Sequence, residues 1–227
     1  MKGVITMKLY SGPLSMFGAK AEIAAHEKGI DFELVMVPFE MKTLYRPKHP
    51  EVLRINPKRQ VPVLVDGHLE IFDSTQIFEY LETLKPEPAL WPAEPKAKAR
   101  ARLLEHKSDE VYFPHIIRLM GLQATPDDPA AVEARTAATA FHDEMERQLG
   151  ERDWLAGSYS YADIAFYMAQ LFGARMTAPM TEAHPRLQRW RDRMSARPAV
   201  AKVAGAMARY LLSQNRPLPE FLTRLAH

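Results

Sequence analysis

The stretch NPKRQVPVLVDG at residues 56–67 decides how the first part of this chain folds. A turn-rich loop leads into Val61-Pro62, and the short apolar strand Val63–Val65 follows directly. Proline lacks the N–H that a sheet ladder needs, so Pro62 belongs at the entrance or edge of a strand. A cis Val61–Pro62 bond would turn the Val61 backbone outward and present its N–H and C=O to a peptide-like ligand.

Strand and helix patterns alternate on both sides of this stretch up to residue 85. The predicted strands are Val4–Tyr10, Phe32–Val37, Val63–Val65 and Leu69–Phe72, and the predicted helices are Ser15–Lys28 and Ser74–Leu84. In the second helix the apolar stripe Ile77, Tyr80, Leu81 and Leu84 has the spacing of a buried face. This order of elements is that of a thioredoxin-like α/β domain.

The chain changes character after residue 85. Residues 86–95 (PEPALWPAEP) contain four prolines and are predicted to form a linker. Helical patterns then follow at Lys96–Met120 (bent at Pro114), Pro129–Leu149, Tyr161–Phe172, Arg186–Ser195 and Ala199–Ser213. The sequence therefore predicts an α+β protein with a thioredoxin-like domain over residues 1–85 and an all-helical bundle over residues 96–227.

Composition excludes several classes of protein. The net charge of +2 is too small and too evenly spread to indicate nucleic-acid binding. No apolar run approaches the roughly 20 residues of a membrane span, and the start lacks a secretory signal, so we expect a cytoplasmic protein. Cysteine is absent, which excludes disulfides and thiolate metal sites. Any thiol chemistry must therefore use a thiol that the substrate carries.

Four local motifs occur in a fixed order along the chain. They are LYSGPLS at residues 9–15, INPKRQVPVLVDG at 55–67, FDSTQIFEYL at 72–81 and WLAGSYSYADIAFY at 154–167. In this order and at these spacings, the chain resembles the cytosolic glutathione transferases, and among them the serine-type theta and zeta classes. The resemblance covers nearly the whole sequence.

The resemblance implies that Ser15 is the catalytic residue, because the serine-type members carry their active serine at this place. Its hydroxyl would stabilise the thiolate of glutathione, and a helix N-terminus would assist. Tyr10 and Ser11 remain alternative donors, since other classes use a tyrosine at the end of the first strand. A purely structural role for Ser15, as the cap of its helix, is also open.

The resemblance also assigns residues to glutathione binding. The backbone of Val61, held by Pro62, would pair with the cysteinyl part of the tripeptide in the manner of a strand. Asp73 and Ser74 would bind the ammonium and carboxylate of the γ-glutamyl end, although Asp73 with Gln76 also fits a capping box. The candidates for the glycine carboxylate are Gln60, Lys48, His49 and Lys58.

Residues in the predicted helical domain have two expected roles. Ser160 and Asp163 fit a capping box before an apolar helix, and we interpret this motif as structural. A pocket for an apolar second substrate is expected between the two domains. Its candidate lining residues are Leu14, Tyr112, His115, Ile116 and Leu119.

The resulting functional hypothesis is a glutathione transferase that directs glutathione thiolate onto a small hydrophobic electrophile. The resemblance implies a homodimer and no metal or organic cofactor. One alternative is a non-catalytic binding protein, which the unusual run Met16–Gly18 and the replacement of the family's glutamate by Asp73 favour. Another is a glutathione-dependent dehalogenase, isomerase or peroxidase.

Overall fold

The computed structural model describes residues 7–46 and 48–226, and these contain four strands and ten α-helices. The strands are β1 (Met7–Ser11), β2 (Glu33–Met36), β3 (Val63–Asp66) and β4 (Leu69–Phe72). The helices are α1 (Met16–Glu27), α2 (Pro50–Ile55), α3 (Ser74–Leu84), α4 (Pro95–Lys107), α5 (Phe113–Gly121), α6 (Pro129–Leu149), α7 (Tyr161–Arg175), α8 (Pro185–Ser195), α9 (Pro198–Ser213) and α10 (Glu220–Thr223). Residues 4–6 of the predicted first strand lie outside the described residues.

The four strands form one mixed sheet in the order β2-β1-β3-β4. Strand β1 runs parallel to β2 and antiparallel to β3, and β3 pairs with β4 across a hairpin. This arrangement confirms the predicted thioredoxin-like α/β fold. On one face, Leu9 and Leu64 pack with buried residues of α1 and α3. On the other face, Tyr10 and Val63 pack with Val52 of α2.

The register of the sheet brings three distant parts of the chain to one edge. Tyr10 pairs with Val63, and Val63 pairs in turn with Phe72. Neighbouring strands lie about 4.8 Å apart, so the residues just beyond these pairs form a short row. That row consists of Ser11, Pro62 and Asp73, which belong to three of the motifs seen in the sequence.

Two predicted details of the helices differ from the structure. Leu84 was expected on the buried stripe of α3 but is 51% exposed, because the helix ends at that residue. The predicted helix 96–120 is divided into α4 and α5 by a π-helical turn at Ser108–Tyr112. Pro114 has no N–H to offer the carbonyl of Glu110, which accounts for the wider turn just before it.

The chain divides into two compact units. The first contains the described residues of Met1–Pro88, Pro198–Leu218 and Leu222–His227, and in it α9 packs on α1. The second contains Ala89–Arg197 and Pro219–Phe221, with Trp190 buried at its centre. The helical patterns of the sequence placed residues 96–227 in one helical domain; in the structure, α9 belongs to the first compact unit. In the described residues, none of the helices is long and apolar enough to cross a membrane.

Candidate functional site

Ser15 lies at the N-terminus of α1 and caps it. Its backbone is extended, with φ −100° and ψ 112°, and its Oγ accepts a hydrogen bond from Gly18 N at 3.0 Å. The side chain is largely buried, with 7% of the residue exposed. The cap uses a lone pair of the oxygen and leaves the hydroxyl proton free to donate to another group. The predicted structural and chemical roles of this residue are therefore compatible.

Ser11, at the end of β1, is the second hydroxyl at this helix start. It is 1% exposed. Gly18 separates the two serines: a Cβ at this position would overlap Ser11 Oγ and would lie 3.0 Å from Ser15 Oγ. A side chain at residue 18 would displace one hydroxyl or the other. The run Met16–Gly18, which looked unusual in the sequence, thus ends in a glycine that both serines require.

Tyr10 faces away from these serines. Successive side chains of a strand point to opposite faces of the sheet, so Tyr10 and Ser11 diverge. The Tyr10 ring lies in the cluster with Val63 and Val52, 5.2 Å from the ring of His49. The side chain of Tyr10 is therefore directed to the face that carries α2, while Ser11 is on the face that carries α1.

The Val61–Pro62 peptide bond is cis, and Pro62 is buried at the entrance of β3. Val61 is half-buried next to it, and Gln60 is exposed. The loop before them is closed by Asn56, whose Nδ2 donates to Gln60 O at 2.6 Å. The backbone of Val61 therefore starts from a fixed loop at the same sheet edge as Ser11.

The two predicted cations before α2 differ in their surroundings. His49 caps α2, because its Nδ1 accepts a hydrogen bond from Glu51 N at 3.3 Å. Lys48 is half-buried beside it. One of the candidates for the glycine carboxylate thus already serves as a helix cap.

Asp73 and Ser74 mark the turn from β4 into α3. Asp73 has φ 78°, a left-handed conformation that a residue with a side chain rarely adopts, and its carboxylate accepts from Thr75 N and Gln76 N at 3.0 and 3.3 Å. The predicted capping function of Asp73 is confirmed. Ser74 is buried as the first residue of α3. Strained backbone of this kind is often kept where a site requires it.

A cavity of about 200 Å³ opens beside Ser11 within the first unit. Residues of β1, α1, β2 and α9 line it: Ser11, Gly12, Pro13, Ala19, Glu22, Met36, Val203, Ala206, Met207 and Tyr210. Most of these side chains are apolar. Glu22 is the acidic residue of the lining, and it is 5% exposed. The cavity and the row Ser11, Pro62 and Asp73 meet at Ser11, because Met36 pairs with Ser11 on the opposite side from Pro62.

Two tyrosines that the sequence did not single out shape this region. Tyr45 Oη accepts a hydrogen bond from Leu14 N at 3.3 Å, and a side chain at Gly12 would overlap the Tyr45 ring. Tyr210 on α9 donates its hydroxyl to Phe39 O at 3.3 Å. Burial, followed by the negative charge of Glu40, raises the pKa of Tyr210, which keeps this hydroxyl protonated. Neither tyrosine lies in a motif, so only the tertiary contacts reveal them.

The residues predicted to line a second-substrate pocket have mixed environments. Leu14 and His115 are half-buried, whereas Tyr112, Ile116 and Leu119 are buried in the second unit. Tyr112 Oη lies 3.1 Å from His142 Nε2. Burial raises the pKa of the Tyr112 hydroxyl, so it stays protonated. These contacts are those of a helical core.

The chain is similar to known proteins over both of its halves. Residues 9–89 match the family model described as Glutathione S-transferase, N-terminal domain, and residues 108–198 match Glutathione S-transferase, C-terminal domain. Glutathione S-transferase 3 of Zea mays is 31% identical over 212 residues, which are 88% of this chain and 94% of that protein.

Two further relatives illustrate the range of similar proteins. A Stringent starvation protein A homolog of Coxiella burnetii is 31% identical over 150 residues, 65% of this chain and 66% of that protein. The crystal structure of a glutathione S-transferase from Methylobacterium radiotolerans, in complex with glutathione sulfonate, superposes with a TM-score of 0.72 at 29% identity. The superposition covers 87% of this chain and 93% of that one.

Proposed function

The chain belongs to the glutathione S-transferase family, and we propose that it is a glutathione transferase that keeps the thiol of bound glutathione deprotonated. The thiolate sulfur forms a bond to an electrophilic carbon of an apolar co-substrate. The group that it displaces leaves with the electron pair of the broken bond. The protein contributes no thiol of its own, since it has no cysteine.

The position of the Ser15 hydroxyl at the start of α1 carries this proposal. Its Oγ accepts from Gly18 N and can donate its proton to a sulfur atom, while the helix N-terminus favours negative charge there. A free thiol has a pKa of about 8.5, so only a small fraction is ionised at neutral pH. A hydrogen bond to the thiolate together with the helix dipole can lower that pKa by about one or two units.

Strand geometry supports a serine rather than Tyr10 as the donor. Ser11 and Ser15 both border Gly18 on the α1 side of the sheet, whereas Tyr10 projects to the other side. We assign the donation to Ser15, because it lies at the helix N-terminus itself. Ser11 is the second candidate.

The edge of the sheet supplies the elements for holding the tripeptide. In the proposed mode, the backbone of Val61 pairs with the cysteinyl part, and the start of α3 at Ser74 receives the γ-glutamyl carboxylate. Asp73 pairs with the ammonium group. Gln60, Lys48 or His49 receives the glycine carboxylate. The glutathione sulfonate complex of the Methylobacterium relative supports a tripeptide-binding function for the family.

Ultraviolet difference absorbance of the glutathione thiolate tests the proposal. Wild type mixed with glutathione at neutral pH is expected to show thiolate absorbance, and Ser15→Ala is expected to lower the ionised fraction by about eightfold if one pKa unit is lost and by about 25-fold if two are lost. Ser11→Ala and Tyr10→Phe are the matched controls, and both should retain the signal. Loss of the signal in either control but not in Ser15→Ala would assign the donor elsewhere.

A non-catalytic binding protein is the second candidate function, because one relative, 31% identical over 150 residues, is named a Stringent starvation protein A homolog and not a transferase. Retention on immobilised glutathione separates the two. A transferase is retained and ionises the thiol, whereas a binding protein of another kind passes through the column. A homodimer and a cytoplasmic location also remain predictions, which size measurement in solution and cell fractionation would check.

A further inference from the structure

We propose that the cavity beside Ser11 binds a small apolar compound that carries a positive charge, with the Glu22 carboxylate as its ionic partner. A primary amine on an aromatic or short aliphatic body has the required chemistry. The inference rests on three features of the cavity: a buried acid, an apolar wall and a volume suited to one ring.

Glu22 is placed where a carboxylate needs a partner. A buried carboxylate is costly unless it is paired and hydrogen-bonded. Among the residues that the structure describes, the basic side chain in contact with it is His26, an imidazole that carries charge only when protonated; its Nε2 lies 3.8 Å from the carboxylate, one helical turn further along α1. Charge-assisted hydrogen bonds are about 2.7–2.9 Å long, so the contact with His26 is loose. The carboxylate therefore retains capacity to accept from a bound ammonium group.

The remainder of the lining suits an apolar body. Ala19, Val203, Ala206 and two methionines form the wall, and methionine side chains adapt readily to ligands of different shape. The volume of about 200 Å³ is somewhat larger than the roughly 150 Å³ of an apolar cavity that holds benzene. One aromatic ring with a short amine arm therefore fits.

Charge determines which compounds are selected. The Glu22 carboxylate attracts an ammonium group strongly, accepts a weaker hydrogen bond from a neutral hydroxyl and repels a carboxylate. Because the cavity ends at Ser11, a compound bound in it lies close to the proposed thiolate position. A role of such compounds as co-substrates rests on the proposed function, whereas their binding does not.

Three compounds of one size test the inference: benzylamine, benzyl alcohol and benzoate. Isothermal titration calorimetry at about pH 7.5 is expected to show benzylamine binding at least about tenfold more tightly than benzyl alcohol, with benzoate weakest. Glu22→Gln should abolish the preference for the amine. Glu33→Gln, which neutralises an exposed acid on β2 of the same unit, should preserve it.

A second variant and a spectroscopic readout locate the binding. Ala206 is exposed at the cavity, so Ala206→Phe should block it without disturbing the core and abolish binding of all three compounds. The NMR methyl signals of Met36 and Met207 should shift when benzylamine binds to the wild type. Thermal melting followed by circular dichroism checks that each variant is folded.

Several outcomes would overturn the inference. They are equal affinity of the wild type for benzylamine and benzyl alcohol, no binding of any of the three compounds, and benzylamine binding that survives Ala206→Phe. Glutathione retention is measured separately. If the wild type is retained on glutathione but does not prefer the amine, only this inference is wrong. If it prefers the amine but is not retained on glutathione, only the proposed function is wrong.

Discussion

Asp163, at the start of α7, offers the most direct test of how the second unit is held together. Its carboxylate accepts four hydrogen bonds: from Leu155 N at 3.0 Å, Ser160 N at 3.0 Å, Ser160 Oγ at 3.1 Å and Trp190 Nε1 at 2.9 Å. The side chain is completely buried. Asp163→Asn retains the shape of the residue but replaces one acceptor oxygen with a donor.

The expected loss of stability follows from the hydrogen bonds that each oxygen of the Asp163 carboxylate accepts. Oδ1 serves Leu155 and Trp190, and Oδ2 serves Ser160 twice. The asparagine is best accommodated with its NH₂ toward Ser160, whose hydroxyl can reverse and accept. Ser160 N is then a buried donor without an acceptor, which costs about 1–3 kcal/mol, and the two remaining bonds lose their charge, about 1 kcal/mol each. Burial raises the pKa of Asp163 to about 6, so relief of its desolvation offsets part of the loss.

We therefore expect Asp163→Asn to lower the free energy of unfolding by about 2–4 kcal/mol. Urea denaturation at about pH 7.5, where the carboxylate is ionised, measures it, with intrinsic tryptophan fluorescence, to which buried Trp190 contributes, as the probe. Asp153→Asn is the matched control. Because Asp153 is exposed and 3.6 Å from Arg193, this substitution should change the free energy of unfolding by no more than about 0.5 kcal/mol. Equal destabilisation by the two variants would refute the reasoning.

Three further predictions concern a glycine, a buried lysine and a buried histidine. Gly18→Ala should remain folded but lose thiolate absorbance, because its Cβ crowds Ser15 Oγ, the proposed donor to the thiolate, and displaces the neighbouring Ser11 hydroxyl toward it; unchanged absorbance contradicts this. Lys28→Met should cost about 3–5 kcal/mol in urea denaturation, because Glu82 loses a buried partner 2.6 Å away; a loss below about 1 kcal/mol contradicts it. Burial lowers the pKa of His142 from 6.5 to about 3. Between pH 6.5 and 3, His142 is therefore protonated in the unfolded chain but neutral in the folded protein. The free energy of unfolding should fall by up to about 1.4 kcal/mol for each pH unit in this range, and His142→Gln should reduce that dependence in an acid titration.

Local signals in the sequence predicted much of the first unit. The four strands and the helices α1 and α3 were anticipated to within a few residues, because side-chain period and turn residues act over neighbouring positions. Pro62 marked a strand entrance for the same reason. The capping box of Ser160 and Asp163 was also confirmed, since both its hydrogen bonds join residues three apart.

Contacts between distant residues were not predictable in this way. The sequence showed that Asp163 caps a helix, but not that Leu155 and Trp190 also donate to it. The sequence placed Ser15 at a helix start. That the Ser11 hydroxyl lies beside it, and that residue 18 must be a glycine, is seen only in the packing of β1 against α1.

The sequence by itself determined where most of the strands and helices form and which residues stand at the ends of β3, α1, α3 and α7. Only the tertiary structure decided that α9 covers α1 and encloses Glu22 in an apolar cavity. The physical reason is that periodicity reveals that a face is buried without revealing its partner. The helix that packs on α1 is α9, which begins about 180 residues further along the chain, and no local sequence pattern specifies a contact between segments so far apart.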